Sequence, residues 1–361
     1  MFGESKQRLE ARFILSTDDE TEMTSAGGFL TWYDARENQP HRNAEFRLYF
    51  PTNAVTERAT AGDLLIIATR PNREVLVVIV PAGHSVAPKL LWLFGLEAPS
   101  ERFKTQVFEA GDPTLGFVAR QLLDEIGIET EIPVTAENQL EVLLDKFGGD
   151  FPTTAAFSDF ARKTAEASSA IEDPDSTLIT WLEHEESLFR VLERHLVAKW
   201  LESETVDVDA FLKFSLSVHN RRKSRAGYAA ENHLEAVFKS HSLSYSRTAK
   251  TEGKSKPDFV FPGKAAYHDT QFPTNRLLML GVKTTCKDRW RQVLTEANRI
   301  TEKHLFTIEP GISEDQTDEM RERRVQLVIP SPIHDTFASD QRKWLWTVAD
   351  FIQVARSKAT P

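Results

Sequence analysis

Strand-length apolar runs predict that residues 1–140 form a β-rich domain. Residues 64–68 and 75–80 are rich in β-branched side chains, and the polar, proline-containing segment between them predicts a β-hairpin. Residues 46–50 alternate apolar and polar side chains, as a half-buried strand does. We therefore expect a sheet in which 64–68 and 75–80 are neighbouring strands.

Two local signals in the same region concern a helix and a turn. Asp112 as the N-cap, Pro113 in the first turn and Gly127 after the last turn predict a helix between them. The pair Gly27-Gly28 is not followed by the Gly-Lys-Ser/Thr of a phosphate-binding loop, so we interpret it as a turn.

The hydrophobic pattern changes at residues 146–152, where two glycines and a proline interrupt it. This break predicts an N-terminal domain of residues 1–140 and a C-terminal domain of residues 145–361. Apolar residues recur at helical spacing between 178 and 196, and a second helix is predicted at 225–240. Strands and one more helix then follow, which predicts an α/β fold. The predicted strands are 257–262, 276–282, 305–308 and 325–329, and the helix is 288–300.

Composition restricts the kind of protein. Cys286 is the single cysteine in 361 residues, so neither an internal disulfide nor a zinc site of paired cysteines is expected. No run approaches the roughly 18 consecutive apolar residues of a membrane span, and the first residues lack the layout of a signal peptide. These features predict a reducing, cytoplasmic location and no membrane partner.

Charge is distributed unevenly along the chain. The formal net charge is −10, which by itself argues against a nucleic-acid partner. Residues 213–303 nevertheless hold 18 Lys and Arg against 8 Asp and Glu, a balance of +10, so the other 270 residues carry −20. A basic block within an acidic chain is typical of polyanion binding, although solvated helix faces would also explain it.

Ionisable residues at predicted strand ends suggest a phosphodiesterase site. Asp258 follows Pro257 at the start of one strand and Lys283 ends the next, as in the motif P-D-x(n)-(D/E)-x-K. Gly281 stands where the motif has its second acid, and Glu231 on the preceding helix is a candidate replacement. Two carboxylates could hold a divalent cation that polarises a phosphate and activates water, while the lysine stabilises developing charge. Taken singly, these three residues could instead be a turn or cap residue, a surface lysine and a solvated helix position.

Longer runs of sequence resemble the catalytic domain of the EcoRII family of type II restriction endonucleases, most densely from His219 to Phe337. The similar runs are Asn220–Gly227, Lys256–Phe259, Ala266–Thr270, Val282–Gln292, His304–Phe306 and Gly311–Ser313. The resemblance implies a PD-(D/E)XK nuclease-like fold for the C-terminal domain and an Mg²⁺-dependent nuclease activity.

The resemblance also implies the site residues. Glu231, Asp258 and Lys283 would form the catalytic core, and Glu231 and Asp258 would hold the Mg²⁺. Accessory roles are implied for three further residues, Tyr267, Lys287 and Glu296. The family's second acid would come from the helix, which accounts for Gly281.

Residues 287–291 resemble the family's base-reading segment. Asp288 and Arg289 could read one C·G pair, because Asp accepts from cytosine N4 and Arg donates to guanine O6 and N7, and Arg291 could read the next pair. Asp288 could also be the N-cap of the helix that follows. This chemistry supports a CCWGG-like target. Contacts to phosphates or flanking DNA are expected from Arg221, Arg222, Lys223 and Arg225.

The N-terminal domain shares with the family's DNA-binding effector pseudobarrel only a β-rich character. Its arginines at 42, 47, 58, 70 and 73 could face DNA or could be scattered surface charge. We expect a homodimeric restriction endonuclease that cuts double-stranded DNA at a short C·G-rich palindrome, because two-fold symmetric DNA calls for a two-fold symmetric protein. The alternatives are a nuclease gated by base modification through the N-terminal domain, and a non-catalytic DNA-binding regulator on a nuclease fold.

Overall fold

The structure, a computed structural model, describes residues 3, 5–17, 22–37, 41–69, 74–93, 136–202, 208–253 and 255–359. The chain divides into two compact units, Met1–Val107 and Phe108–Pro361. The helix predicted at 112–127 lies outside the described residues. The domain boundary predicted at 140–145 falls within a helix of the second unit, Ala136–Phe147.

The described part of the first unit is a five-stranded sheet with one α-helix. Its elements are β1 (Gln7–Leu15), β2 (Thr24–Asp34), β3 (Phe46–Tyr49), a 3-10 turn (Thr56–Arg58), β4 (Leu64–Thr69), β5 (Val75–Val80) and α1 (Val86–Leu93). The strand order is β3-β2-β1-β5-β4, with β1 and β5 parallel and the other neighbours antiparallel. The predicted hairpin is confirmed, because β4 and β5 pair antiparallel from Leu64 with Val80 to Thr69 with Val75.

One face of this sheet carries a hydrophobic core that includes Phe13 and Leu15 of β1 and Leu30 of β2. The interpretation of Gly27-Gly28 as a turn was wrong, since both residues lie inside β2. A Cβ on Gly28 would lie 3.0 Å from the Phe13 ring. The glycine therefore leaves room for a core side chain of the neighbouring strand.

The described part of the second unit, from residue 136 onward, starts with helices and continues as a mixed α/β segment. Its α-helices are α2 (Ala136–Phe147), α3 (Thr154–Thr164), α4 (Pro174–Leu201), α5 (Val208–Ser240), α6 (Lys264–His268), α7 (Glu314–Glu322), α8 (Ser339–Arg342) and α9 (Val348–Ala359). Its strands are β6 (Ser246–Arg247), β7 (Phe259–Phe261), β8 (Leu278–Val282), β9 (Lys303–Phe306) and β10 (Val325–Val328). Short 3-10 helices lie at Thr274–Arg276, Lys287–Thr295 and Ser331–Thr336. Among the described residues, no helix is both long enough and apolar enough to cross a membrane.

The sheet of the second unit has the order β10-β9-β8-β7-β6. β6, β7 and β8 pair antiparallel, whereas β8, β9 and β10 pair parallel. Every residue of the central strand β8 is buried, so both faces of the sheet are covered there. Phe238 of α5 packs edge-on against Phe259 and Phe261 of β7, with ring centroids 5.2 and 5.3 Å apart. This packing fixes the C-terminal half of α5 against the strand that follows Asp258.

The helix predicted at 288–300 is instead a 3-10 helix that ends at Thr295. Three residues per turn place Trp290 and Val293 on one side, and both are fully buried. Val293 covers Gly281 so closely that a Cβ at residue 281 would lie 2.7 Å from Val293 Cγ1. The missing acid of the strand motif therefore has a steric cause, because residue 281 has no room for a side chain.

We expect Gly281→Ala to lower the free energy of unfolding by about 1–3 kcal/mol, the usual cost of inserting a methyl group into a packed core. Gly227→Ala is the matched control, since it lies within α5 with nothing within 4 Å of its Cβ position. That substitution should be neutral or should stabilise by about 0.5–1 kcal/mol, because alanine loses less backbone entropy in a helix. Urea unfolding of both variants tests the packing, and equal effects would contradict it.

Candidate active site

Asp258 and Lys283 meet because their strands pair. Register places Phe259 opposite Leu280, so the start of β7 lies beside the end of β8. Asp258 Oδ2 accepts a hydrogen bond of 2.6 Å from the Val282 backbone N–H and one of 3.2 Å from Lys283 Nζ. Their side chains are only 16% and 12% exposed. The two residues of the predicted motif therefore form a half-buried ion pair at one edge of the sheet.

Backbone contacts hold Lys283 at this position. Its N–H donates to the Phe306 carbonyl of β9 at 3.0 Å, which extends the parallel ladder by one residue. Its Nζ also donates to the Val282 carbonyl at 3.1 Å. The ammonium is thus fixed beside Asp258, in a place where it could meet a phosphate.

Glu231 reaches the same cluster from α5. Burial is the main reason that the pKa of Glu231 is raised, and the negative charge of Asp258 adds to the rise, while Arg247 and Lys283 oppose it. Arg247 Nη2 donates to Glu231 Oε2 at 3.0 Å, and Arg247 Nη1 donates to Glu235 Oε2 at 3.0 Å. The two glutamates one turn apart on α5 therefore share one guanidinium from β6.

Glu296 follows the 3-10 helix and joins these charges. Burial is the main reason that its pKa is raised above 4.5; Lys283 opposes the rise and Asp258 adds to it. Its Oε2 is buried without a hydrogen-bond partner among the described residues. A carboxylate held in this way lies within electrostatic reach of both Asp258 and Lys283.

Tyr267, the other accessory residue whose side chain is described, is 2% exposed. Its hydroxyl donates a short hydrogen bond to Glu252 Oε1. Burial first, and then this contact with Glu252, raise the pKa of Tyr267 to about 12. The phenol therefore stays protonated at neutral pH.

The donor set fits a hard divalent cation. Glu231 and Asp258 offer carboxylate oxygens, which Mg²⁺ and Ca²⁺ prefer. Burial first, and then the negative charge of Asp258, raise the pKa of Glu231, and a bound cation would offset the repulsion between the two carboxylates. Within the part of the chain that the structure describes, no group of three or more His, Cys, Asp or Glu side chains has a metal-binding arrangement. The pair of carboxylates would therefore depend on water or substrate oxygens for the remaining ligands.

Two arginines of the segment expected to read bases have described side chains. They differ in their contacts. Arg289 is exposed on the 3-10 helix. Arg291 lies over the Trp290 ring and donates to Glu319 at 2.7 Å. Lys287 and Asp288 lie in the same 3-10 helix, but their side chains are outside the described part of the structure.

Two arginines of the basic cluster on α5 form ion pairs with glutamates of α4, and one of them is buried. Arg225 is 6% exposed, bonds closely to Glu186, and has its pKa lowered by burial to about 10. Arg222 binds Glu193 at 2.7 Å. The expected phosphate contact of Arg225 does not agree with this burial, because its guanidinium bridges α5 to α4 instead. The Lys223 side chain lies outside the described residues.

Arg221 is the remaining member of the cluster. Its guanidinium lies 3.9 Å from the centroid of the Phe151 ring. The residue is half-buried, so part of it remains at the surface. Stacking on an aromatic ring would hold it in one orientation.

Two residues of the site had not been anticipated from sequence. Arg247 and Glu252 precede β7 in chain order, in a stretch with no motif. The spacing of Glu231 and Glu235 at i, i+4 does predict a shared acidic face, which was a signal that a cation lies opposite. No comparable pattern marks Glu252, whose contacts depend on the tertiary fold.

Residues 189–352 match the family model EcoRII-C, described as the EcoRII C terminal. The type II restriction enzyme EcoRII of Escherichia coli is 48% identical over 181 residues, 50% of this chain and 45% of that protein. The type II restriction enzyme SsoII of Shigella sonnei is 27% identical over 151 residues, 39% of this chain and 48% of that protein. The chain thus spans just under half the length of these two relatives.

Solved structures similar to this chain include metal-depleted Ecl18kI in complex with uncleaved, modified DNA. That structure has a TM-score of 0.48 and 21% identity, over 62% of this chain and 84% of that chain. A PspGI restriction endonuclease–substrate DNA complex has a TM-score of 0.45 and 14% identity, over 62% of this chain and 93% of that chain. The family match confirms the predicted nuclease-like α/β fold of the C-terminal domain.

The raised pKa of Glu296 predicts a pH dependence of stability. The folded protein keeps this proton to higher pH than the unfolded chain does, so the group stabilises the fold below its unfolded pKa of 4.5. This contribution is lost as the pH rises through the folded pKa. In the metal-free protein, Glu296→Gln should therefore lose less stability than the wild type as the pH rises above 4.5.

Urea unfolding at several pH values measures this difference. Glu302→Gln is the control, because Glu302 is an exposed acid on the same connection and should leave the slope unchanged. If the free energy of unfolding changes with pH equally in Glu296→Gln and the wild type, the pKa of Glu296 is not raised in the folded protein.

Proposed function

Because residues 189–352 match the EcoRII C-terminal family model, we propose that this protein is a type II restriction endonuclease that hydrolyses phosphodiester bonds of double-stranded DNA. The observation that carries the proposal is the half-buried cluster in which Asp258 accepts from Lys283 at 3.2 Å while Glu231 lies within electrostatic reach of both. Two carboxylates and an ammonium, supplied by three different elements, are the parts that phosphodiester hydrolysis requires.

Each residue of the cluster has a distinct role. Asp258 and Glu231 would hold Mg²⁺, which when bound would polarise the phosphate and lower the pKa of a bound water. Lys283, fixed by three hydrogen bonds, stabilises the charge that builds on the phosphate oxygens. Glu296 and Lys287 act as accessory groups beside this core, and Tyr267 acts at its edge. A buried, partly water-excluded setting strengthens each of these electrostatic effects.

Specificity would come from the 3-10 helix that follows Lys283. Arg289 is exposed and donates to guanine O6 and N7, Asp288 accepts from the paired cytosine, and Arg291 reads the neighbouring pair. Such contacts favour a palindrome containing CC and GG, similar to CCWGG. Release of Arg291 from Glu319 would accompany DNA binding, because the same guanidinium cannot serve both.

A homodimer matches the two-fold symmetry of a palindromic site. Each protomer would then place one Asp258–Lys283 cluster at one strand of the duplex. Arg221 and Arg222 on α5 would contact the phosphate backbone, which positions the protein without reading sequence.

Asp258→Ala should bind a duplex that contains the target but should not cut it in Mg²⁺. Loss of this carboxylate removes both a metal ligand and the anchor of Lys283, while the DNA-contacting surface is kept. Plasmid digestion and a gel-shift assay measure the two properties separately. Full cleavage by this variant would exclude Asp258 from the reaction and with it the proposed site.

Arg289→Ala should weaken specific binding by about 1–3 kcal/mol, the discrimination that a bidentate arginine–guanine contact provides. Binding to unrelated DNA should fall much less, because one phosphate-independent contact is lost. Arg323→Ala is the matched control, since Arg323 is an exposed arginine at the end of α7. Unchanged discrimination between target and unrelated duplexes in Arg289→Ala would refute its base-reading role.

A further inference from the structure

The turn that carries Glu296 has an unusual backbone. It connects the 3-10 helix to β9, and Ala297 within it has φ of 46°. This left-handed conformation is uncommon for a residue with a Cβ and persists only where surrounding contacts enforce it. The turn therefore needs support from outside itself.

Lys303 supplies part of this support from β9. Its Nζ donates to the carbonyls of Glu296 and Ala297, the latter at 2.7 Å, and the residue is 5% exposed. These two bonds satisfy the carbonyls at the point where the backbone reverses. They fix the backbone at Glu296 and Ala297, but they do not bind the next two residues of the turn, Asn298 and Arg299.

Glu252 binds this second half of the turn, residues 298 and 299. Its Oε2 accepts from the Asn298 N–H at 3.2 Å, and its Oε1 accepts from the Tyr267 hydroxyl. The same hydroxyl accepts from the Arg299 N–H at 3.2 Å. One carboxylate therefore ties two consecutive residues of the turn to α6, directly at Asn298 and through Tyr267 at Arg299.

Arg299 completes the connection. Its guanidinium donates to three carbonyls, those of Tyr267, Asp269 and Phe272. The Tyr267 hydroxyl both donates and accepts within the protein, and the ring is almost fully buried. The Tyr267 hydroxyl is therefore occupied by bonds to Glu252 and Arg299, and Tyr267 influences the site by supporting the turn.

We propose that Glu252 is a positioning residue of the nuclease site, which acts through Tyr267 and the 296–299 turn to hold the Glu296 carboxylate beside Asp258 and Lys283. This inference deepens the proposed function and rests on it. Glu296 Oε2 has no hydrogen-bond partner among the described residues, so no hydrogen bond within that part of the chain fixes this oxygen. The backbone of the turn must do so, and Glu252 is the acidic side chain that binds this backbone.

A double-mutant cycle tests the coupling. Glu252→Ala should lower kcat for cleavage of a target duplex by about 10- to 100-fold with little change in KM, because small displacements of a positioned group have costs of this size. In a Glu296→Gln background, the same change should lower kcat by less than about twofold, because the group that it positions is already gone. Glu252→Gln, which keeps an acceptor oxygen, should retain more activity than Glu252→Ala.

Amide hydrogen exchange gives a second readout that does not need activity. Glu252→Ala should speed exchange in peptides that cover residues 296–300 and leave those of β8 unchanged. Glu302→Gln is the matched control, since it removes an exposed acid near the turn and should change neither kcat nor exchange.

The outcomes separate the two proposals. If the wild type cuts no duplex, or if Asp258→Ala cuts as well as the wild type, the proposed function fails. If the wild type cuts and Asp258→Ala does not, the inference is overturned by an equal loss from Glu252→Ala in both backgrounds, or by unchanged exchange at residues 296–300. A vanishing effect in the Glu296→Gln background together with faster local exchange supports it.

Discussion

The site depends on the contact between Asp258 and the end of β8. The carboxylate accepts from the Val282 N–H and from Lys283 Nζ, so one side chain joins the start of β7 to the end of its antiparallel neighbour. β8 is buried throughout, and the Lys283 N–H extends its parallel pairing with β9 by one hydrogen bond. The backbone of Lys283 is therefore held in place by the sheet. The pairing of the strands therefore sets the distance between the Asp258 carboxylate and the Lys283 ammonium of the proposed reaction.

Repulsion among acids is the second constraint. Glu231 and Glu296 each lie within electrostatic reach of Asp258, and burial is the main reason that the pKa of both glutamates is raised. Arg247 and Lys283 offset part of this repulsion, and Glu252 anchors the turn that carries the third acid. A site of this kind costs stability in the metal-free protein and gains it when a cation binds. The acids that the proposed function needs therefore lower the folding stability of the metal-free protein at this end of the sheet.

Much of the fold followed from local patterns, because buried strands and amphipathic helices have periodicities that can be read directly. The β4–β5 hairpin and the strands around Asp258 and Lys283 lie where the apolar runs predicted them. The errors came from tertiary packing. Gly27-Gly28 resembles a turn, but it makes room for Phe13, and Arg225 resembles a surface cation, but it bonds to Glu186 inside a helix pair. Arg247 and Glu252 carry no motif, since their partners are distant in sequence.

The most direct test of the central claim is the location of a metal ion in crystals of the protein grown with Mn²⁺ and a duplex that contains a CCWGG-like site. The account predicts an anomalous scattering peak between the carboxylates of Asp258 and Glu231, with Lys283 beside the adjacent phosphate. A Mn²⁺ peak held by other acids, with none at this pair, would contradict it.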